Sequence, residues 1–362
     1  RVGLDAAGWE FVIPLLAQEA LPTLRKLMDE GASGSLVSTL PSLTPTAWAS
    51  ISTGKEPGKH GVFDITQRIT GSYEAQLVNS LARRGRPFWQ RLNEQGLKVG
   101  LVNIPFTYPP DEVDGFVVCG FGAPGAVEDV IYPPEALTAV IDKFGEYEPS
   151  VPGSTLRSGQ HQRIFDAEAA LQKRQVEIGL MLSAQYDVDV LAINLMMLDH
   201  INHKMPDMER VNASIRQLDA DLATLLAGFE PNNVLVISDH GARRVKGDFL
   251  LHAWLRDEGY AVQQKRTAVS RNKALNWVLR EWLGEAKGEA NLAKQVKRGV
   301  YRWLLNNLPQ SLAGSIWQNI EQAVPFAKEH IELSEALDFS QTRVYPGGSY
   351  SSILFFNMQG RE

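Results

Sequence analysis

The chain has 362 residues, 44% of them hydrophobic and 22% charged, with a net charge of −6. This composition excludes a disordered chain, and the acidic balance argues against a surface that coats nucleic acid, which needs clustered Lys and Arg. One cysteine, Cys119, excludes an intramolecular disulfide and fits a reducing, cytoplasmic setting. No apolar run approaches the roughly 20 residues that span a bilayer.

In chain order, the first residues are already strand-like, so further residues are expected before Arg1. Short apolar runs predict strands over 2–4, 34–38, 98–102, 115–119, 188–195 and 233–238. Helices are predicted over 22–30, 47–53, 87–95, 167–183 and 208–226. The last is amphipathic, with Val211, Ile215, Leu218, Leu222 and Leu226 at helical spacing. Strands alternating with helices predict an α/β fold with a parallel sheet covered on both faces.

Past Tyr260 the pattern changes. Residues 263–337 carry no strand signal but contain helical stretches rich in Trp, Leu, Lys and Arg, such as 274–283 and 293–305. The plain reading is a helical insertion with solvated basic faces. The sharper one is a cap whose Lys and Arg meet an anionic substrate. Trp277, Trp282, Trp303 and Trp317 raise a third idea, docking on a membrane or partner, although core packing explains such residues more often. Strand signals return at 342–345 and 351–357, so the expected core is 1–262 plus 338–362.

Three predicted strand ends carry metal-ligand residue types. Asp5 ends the first strand; Asp199 follows the run 188–198, with His203 four residues later; Asp239 and His240 follow 233–238. In an open α/β sheet, ligands gather at the carboxyl ends of the strands, so these three ends can converge. Carboxylate and imidazole are zinc donors, and manganese or magnesium follows with more oxygen. Singly, each Asp reads as a cap or turn residue. A fourth element runs from Pro41 to Gly61, where Thr44 or Thr46 opens a helix. Free N–H groups and the helix dipole favour a phosphate there, against the plain alternative of an N-cap threonine.

This fourth stretch resembles the nucleophile segment of the type I phosphodiesterase/nucleotide pyrophosphatase branch of the alkaline phosphatase superfamily. Thr44 stands at the helix start, Thr53-Gly54 follows nine residues on, and then comes Pro57-Gly-Lys-His60-Gly61. The spacing favours Thr44 over Thr46. The stretch from His60 to Asp64, the stretch from Asn103 to Pro110, and Gly120-Phe-Gly are similar to a prokaryotic phosphohydrolase- and phosphomutase-like subgroup. The likeness covers 1–125 and 186–262, with an echo at 338–361.

The resemblance implies an alkaline-phosphatase-like sheet sandwiched by helices, with a helical insertion. It implies that Asp5, Thr44, Asp239 and His240 hold one divalent ion, and that Asp199 and His203 supply two of three ligands to a second. Zinc is the expected ion, with manganese as the alternative. Thr44 would attack phosphorus of a small phosphomono- or phosphodiester and form a phospho-threonine. A phosphomutase, a phosphonate hydrolase or a non-catalytic scaffold that lost one metal are the alternatives. Thr44-Pro-Thr lacks the motif of a sulfatase, and His60 matches a structural histidine. Two departures stand out. The third ligand of the second ion would be a histidine near the C-terminus, yet His161, His200, His252 and His330 lie in no matching motif, so it is expected beyond Glu362. The family's phosphate-binding Asn falls at Ile65, with Asn103 or Thr66 as substitutes. Oligomeric state is not legible.

Overall fold

The computed structural model describes residues 1–69, 71–73, 75–124, 129–151, 161–204, 207–243, 246–247, 249–263, 337–347 and 353–358. Apolar runs form the central sheet: β1 (Val2–Leu4), β4 (Val99–Val102), β5 (Gly115–Val118), β6 (Ile131–Tyr132), β7 (Val190–Leu195) and β8 (Val236–Ile237). Two further strands, β2 (Thr66–Arg68) and β3 (Ala75–Leu77), make a separate two-stranded sheet. The helices around the central sheet are α1 (Trp9–Ala17), α2 (Pro22–Glu30), α3 (Thr44–Thr53), α4 (Pro57–His60), α5 (Phe88–Asn93), α6 (Pro134–Phe144), α7 (His161–Tyr186), α8 (Met197–Lys204) and α9 (Met208–Phe229).

The strand order is β6-β5-β4-β7-β1-β8, parallel throughout except for β6, which runs antiparallel to β5. Burial explains the near-continuous apolar strands: Val99, Leu101, Val102, Phe116, Val117, Val118, Ile193 and Leu195 are all closed to solvent. The chain is therefore α/β, a mostly parallel sheet flanked by helices, as the alternation predicts. The order has one functional consequence. β7 inserts between β4 and β1, and β8 lies on the far side of β1, so three carboxyl ends stand side by side.

The expected strand at 34–38 does not form. Leu36 and Val37 are 64% and 92% exposed, and β1 is already paired on one edge by β7 and on the other by β8. The segment pairs with no strand of the sheet and is irregular. The strand expected over 233–238 shortens to Val236–Ile237, and the helix expected from residue 47 starts at Thr44.

The chain divides into two compact units, Arg1–Gln67 with Gln76–Asp248, and Arg68–Ala75 with Phe249–Glu362. In the second, α10 (Leu251–Asp257) accompanies an antiparallel pair, β9 (Val344–Pro346) and β10 (Leu354–Phe356). Its core holds Leu255, Ala261, Leu337, Val344 and Tyr345, and Tyr73 stacks on Phe339 with ring centroids 3.8 Å apart. The expected helical insertion, with its four tryptophans and His330, falls on 264–336, outside the described residues; Gln263 and Leu337, which bound it, form an antiparallel bridge. Among the described residues no helix is long and apolar enough to cross a membrane.

Candidate metal centre

Asp5 follows the last residue of β1 and is fully buried. Its Oδ2 accepts hydrogen bonds from Asn194 Nδ2 at 3.0 Å and Trp48 Nε1 at 3.3 Å, while Oδ1 has no hydrogen-bond partner. The next residue, Ala6, adopts φ 59°, a left-handed conformation uncommon for alanine, and its N–H donates to Asp239 Oδ1 at 3.3 Å. Asp239 Oδ2, like Asp5 Oδ1, is buried and bare.

The turn after β8 is braced by two serines. Ser238 Oγ accepts from Ala7 N–H at 2.9 Å and donates to the His240 carbonyl at 2.7 Å. Ser38 Oγ donates to the Asp239 carbonyl at 2.6 Å. His240 Nδ1 lies 3.0 Å from the Gly241 carbonyl, so Nδ1 carries the proton and Nε2 presents a lone pair. That lone pair lies 3.0 Å from Thr44 Oγ1, 3.4 Å from Asp239 Oδ2 and 3.7 Å from Asp5 Oδ1.

Electrostatics sharpens the picture. Burial raises the Asp5 carboxyl to about 6, and the charge of Asp199 adds to the rise against His240, Asn194 and Trp48. Burial and then the Asp5 charge push Asp239 well above the ordinary carboxylate range. Two buried carboxylates, each with one bare oxygen, are costly to ionise without a compensating cation. The ligand atoms of Asp5, Asp239 and His240 all lie within 4.8 Å of one another. Two carboxylate oxygens, an imidazole nitrogen and a nearby hydroxyl form a donor set that fits a divalent ion.

Asp199 and His203 sit one turn apart on α8, with Asp199 Oδ1 3.5 Å from His203 Nε2. Asp199 is buried and its charge acts on both Asp5 and Asp239, while His203 is exposed. They form a pair beside the three-residue group, not part of it. Of the two threonines, Thr44 reaches His240; Thr46 is fully buried and its Oγ1 has no hydrogen-bond partner. His60 is built in: its Nδ1 accepts from Val62 N–H at 3.1 Å and its Nε2 meets Ser50 Oγ at 2.9 Å.

Asn103 is buried with both side-chain groups bonded to main chain, Nδ2 to the Asn194 carbonyl at 2.9 Å and Oδ1 to Phe121 N–H at 3.3 Å. Thr66 lies half-buried in β2, and its side chain makes no hydrogen bond to the other candidates among the described residues. Ile65 packs with Ala49, Val62, Val78 and Phe106. His200 pairs with Glu168, and His161 and His252 are exposed.

Trp48 and Asn194, which hold Asp5, are not among the expected site residues. Each left a signal. Trp48 stands four residues after Thr44, on the same helix face, and Asn194 is a polar residue inside the apolar strand Val190–Leu195.

The solved structures that resemble this chain include phosphonoacetate hydrolase from Sinorhizobium meliloti 1021 in complex with phosphonoacetate and the same enzyme with phosphonoformate. Each shows 17% sequence identity and a TM-score of 0.49 over 73% of this chain. The chain spans 63% of the length of those structures. No curated protein matches it. The sequence pattern of the family described as Type I phosphodiesterase / nucleotide pyrophosphatase matches residues 2–332. The chain therefore belongs to the type I phosphodiesterase/nucleotide pyrophosphatase family.

Proposed function

We propose that this chain is a metal-dependent hydrolase of phosphoesters in which Thr44 is the nucleophile. One observation carries the reading: Asp5 Oδ1 and Asp239 Oδ2 are bare and buried, and both face a His240 nitrogen that also meets Thr44 Oγ1. Asp5, Asp239, His240 and Thr44 would hold one ion, zinc by donor type with manganese as the alternative. Asp199 and His203 would contribute to a second. When bound, such ions act as Lewis acids that favour the threonine alkoxide and neutralise phosphoryl oxygens.

The chain's own residues do the rest. Thr44 opens α3, where free N–H groups and the helix dipole favour an anionic phosphoryl group. Gly241 fixes the His240 tautomer, so Nε2 always faces Thr44 with its lone pair. Asn194 and Trp48 hold one oxygen of Asp5, which keeps the other aimed at the centre. Thr44 Oγ1 would lose its proton to solvent and bond to phosphorus as the P–O ester bond breaks, the departing oxygen taking a proton from water. A water would then attack phosphorus, the Oγ1–P bond would break, and Oγ1 would regain a proton as the phosphate product leaves.

The substrate class is a small phosphomono- or phosphodiester, and a phosphonate belongs in the same assay panel. Thr44→Ala should reduce aryl phosphate turnover to background with metal content retained. Turnover equal to wild type in that variant refutes the nucleophile. A wild type that holds metal yet turns over no member of the panel favours a scaffold.

A further inference from the structure

The short helix α8 carries two stripes of side chains. Asp199 and His203 form one, and His200 and Lys204, each one residue further on, form the next, rotated by about 100°. The second stripe meets a single side chain. Glu168 of α7, 2% exposed, places Oε2 2.8 Å from His200 Nδ1 and Oε1 2.5 Å from Lys204 Nζ. One turn further along α7, Gln172 Oε1 accepts from Met197 N–H at 3.1 Å, at the first residue of α8. Gln172 is itself held by Asp221 of α9 at 2.6 Å, and Gln217 braces Asp221 at 3.0 Å.

An eight-residue helix has little stability of its own, so outside contacts set where it sits. Gln172 fixes the start of α8. Glu168 fixes its rotation, because one rigid carboxylate binds two residues four apart on the same face. Both partners are cationic or protonatable, and burial alone would not favour a carboxylate here. The grip therefore determines where the neighbouring stripe points.

We propose that Glu168 is the positioning residue for Asp199 and His203, turning that pair toward the metal centre by holding His200 and Lys204. The inference rests on the two-ion reading given above. It touches neither ion nor substrate directly and acts only through α8.

The test is calorimetric titration of zinc into the chelator-stripped full chain, for wild type, Glu168→Gln and Asp199→Asn. Wild type should show two binding events, and Asp199→Asn should lose the weaker one. Glu168→Gln should leave the first event unchanged and weaken the second by about 10- to 100-fold. Its metal-free thermal midpoint should stay close to wild type, and excess zinc should restore its turnover. Two unchanged events overturn the proposal. So does equal weakening of both with a lowered midpoint, which marks a purely structural role. A single event in wild type removes the two-ion reading, and the proposal with it. If Glu168→Gln does not fold, Lys204→Gln at the partly exposed end of the grip decides by the same criterion: selective loss of the second event supports it, and no loss overturns it.

Discussion

Asp5 and Asp239 each bind protein donors through one carboxylate oxygen and leave the other bare, and that asymmetry defines the centre. The donors that create it depend on close packing. A Cβ at Gly3 would lie 2.5 Å from the Trp48 ring and 2.8 Å from Asn194 Oδ1, the two residues that hold Asp5. Gly3→Ala should therefore cost about 1–3 kcal/mol in urea unfolding through overpacking. It should also weaken zinc binding, whereas an unchanged zinc affinity would show that Trp48 and Asn194 do not orient Asp5. That Asp5, Asp239 and His240 could converge was legible from polar residues after apolar strands, and the family resemblance set Thr44 ahead of Thr46; the structure brings the four together. Trp48, Asn194 and the two serines were less legible. Their roles arise only once β1, β7 and α3 lie together, which no local spacing encodes.

At the scale of elements, the parallel strands were legible because burial on both faces makes them continuous apolar runs. The segment 34–38 looked the same and is not a strand. A strand needs a ladder partner and cover for its apolar side chains, and Leu36 and Val37 stand exposed outside the sheet. Helix ends hide another non-local device. α2 has no side-chain cap of its own, and its first amides are met by Asp219 of α9, which accepts from Thr23 N–H at 3.1 Å and Leu24 N–H at 2.8 Å. Asp219 is buried, so Asp219→Ala leaves those amides without a partner. Its expected cost is about 1–3 kcal/mol, measured by chemical denaturation. A change below a few tenths would mean that the first turn of α2 finds other partners.

For the molecule as a whole, the buried carboxylates link proton binding to stability and, on the proposed reading, to metal as well. Burial raises the Asp5 carboxyl from its ordinary 3.8 to about 6, and burial with the Asp5 charge raises Asp239 as well. The folded state then binds more protons than the unfolded one above pH 3.8, so stability falls as pH rises through the Asp5 window and continues to fall until Asp239 has also ionised. On the proposed reading, zinc would remove the penalty, because the ligand oxygens would be bound as carboxylates. Thermal scans from pH 4.5 to 7.5 should show the chelated protein losing stability toward pH 6 and zinc restoring most at the upper end. At zinc near 100 times its dissociation constant, the gain is about 2.7 kcal/mol. Equal slopes with and without zinc would count against coupling of Asp5 to the metal.

The most direct measurement is anomalous diffraction at the zinc edge from crystals of the zinc-loaded protein. The account predicts a peak about 2.0–2.2 Å from Asp5 Oδ1, Asp239 Oδ2 and His240 Nε2, beside Thr44 Oγ1. With zinc in excess, density without a peak at that position would contradict it.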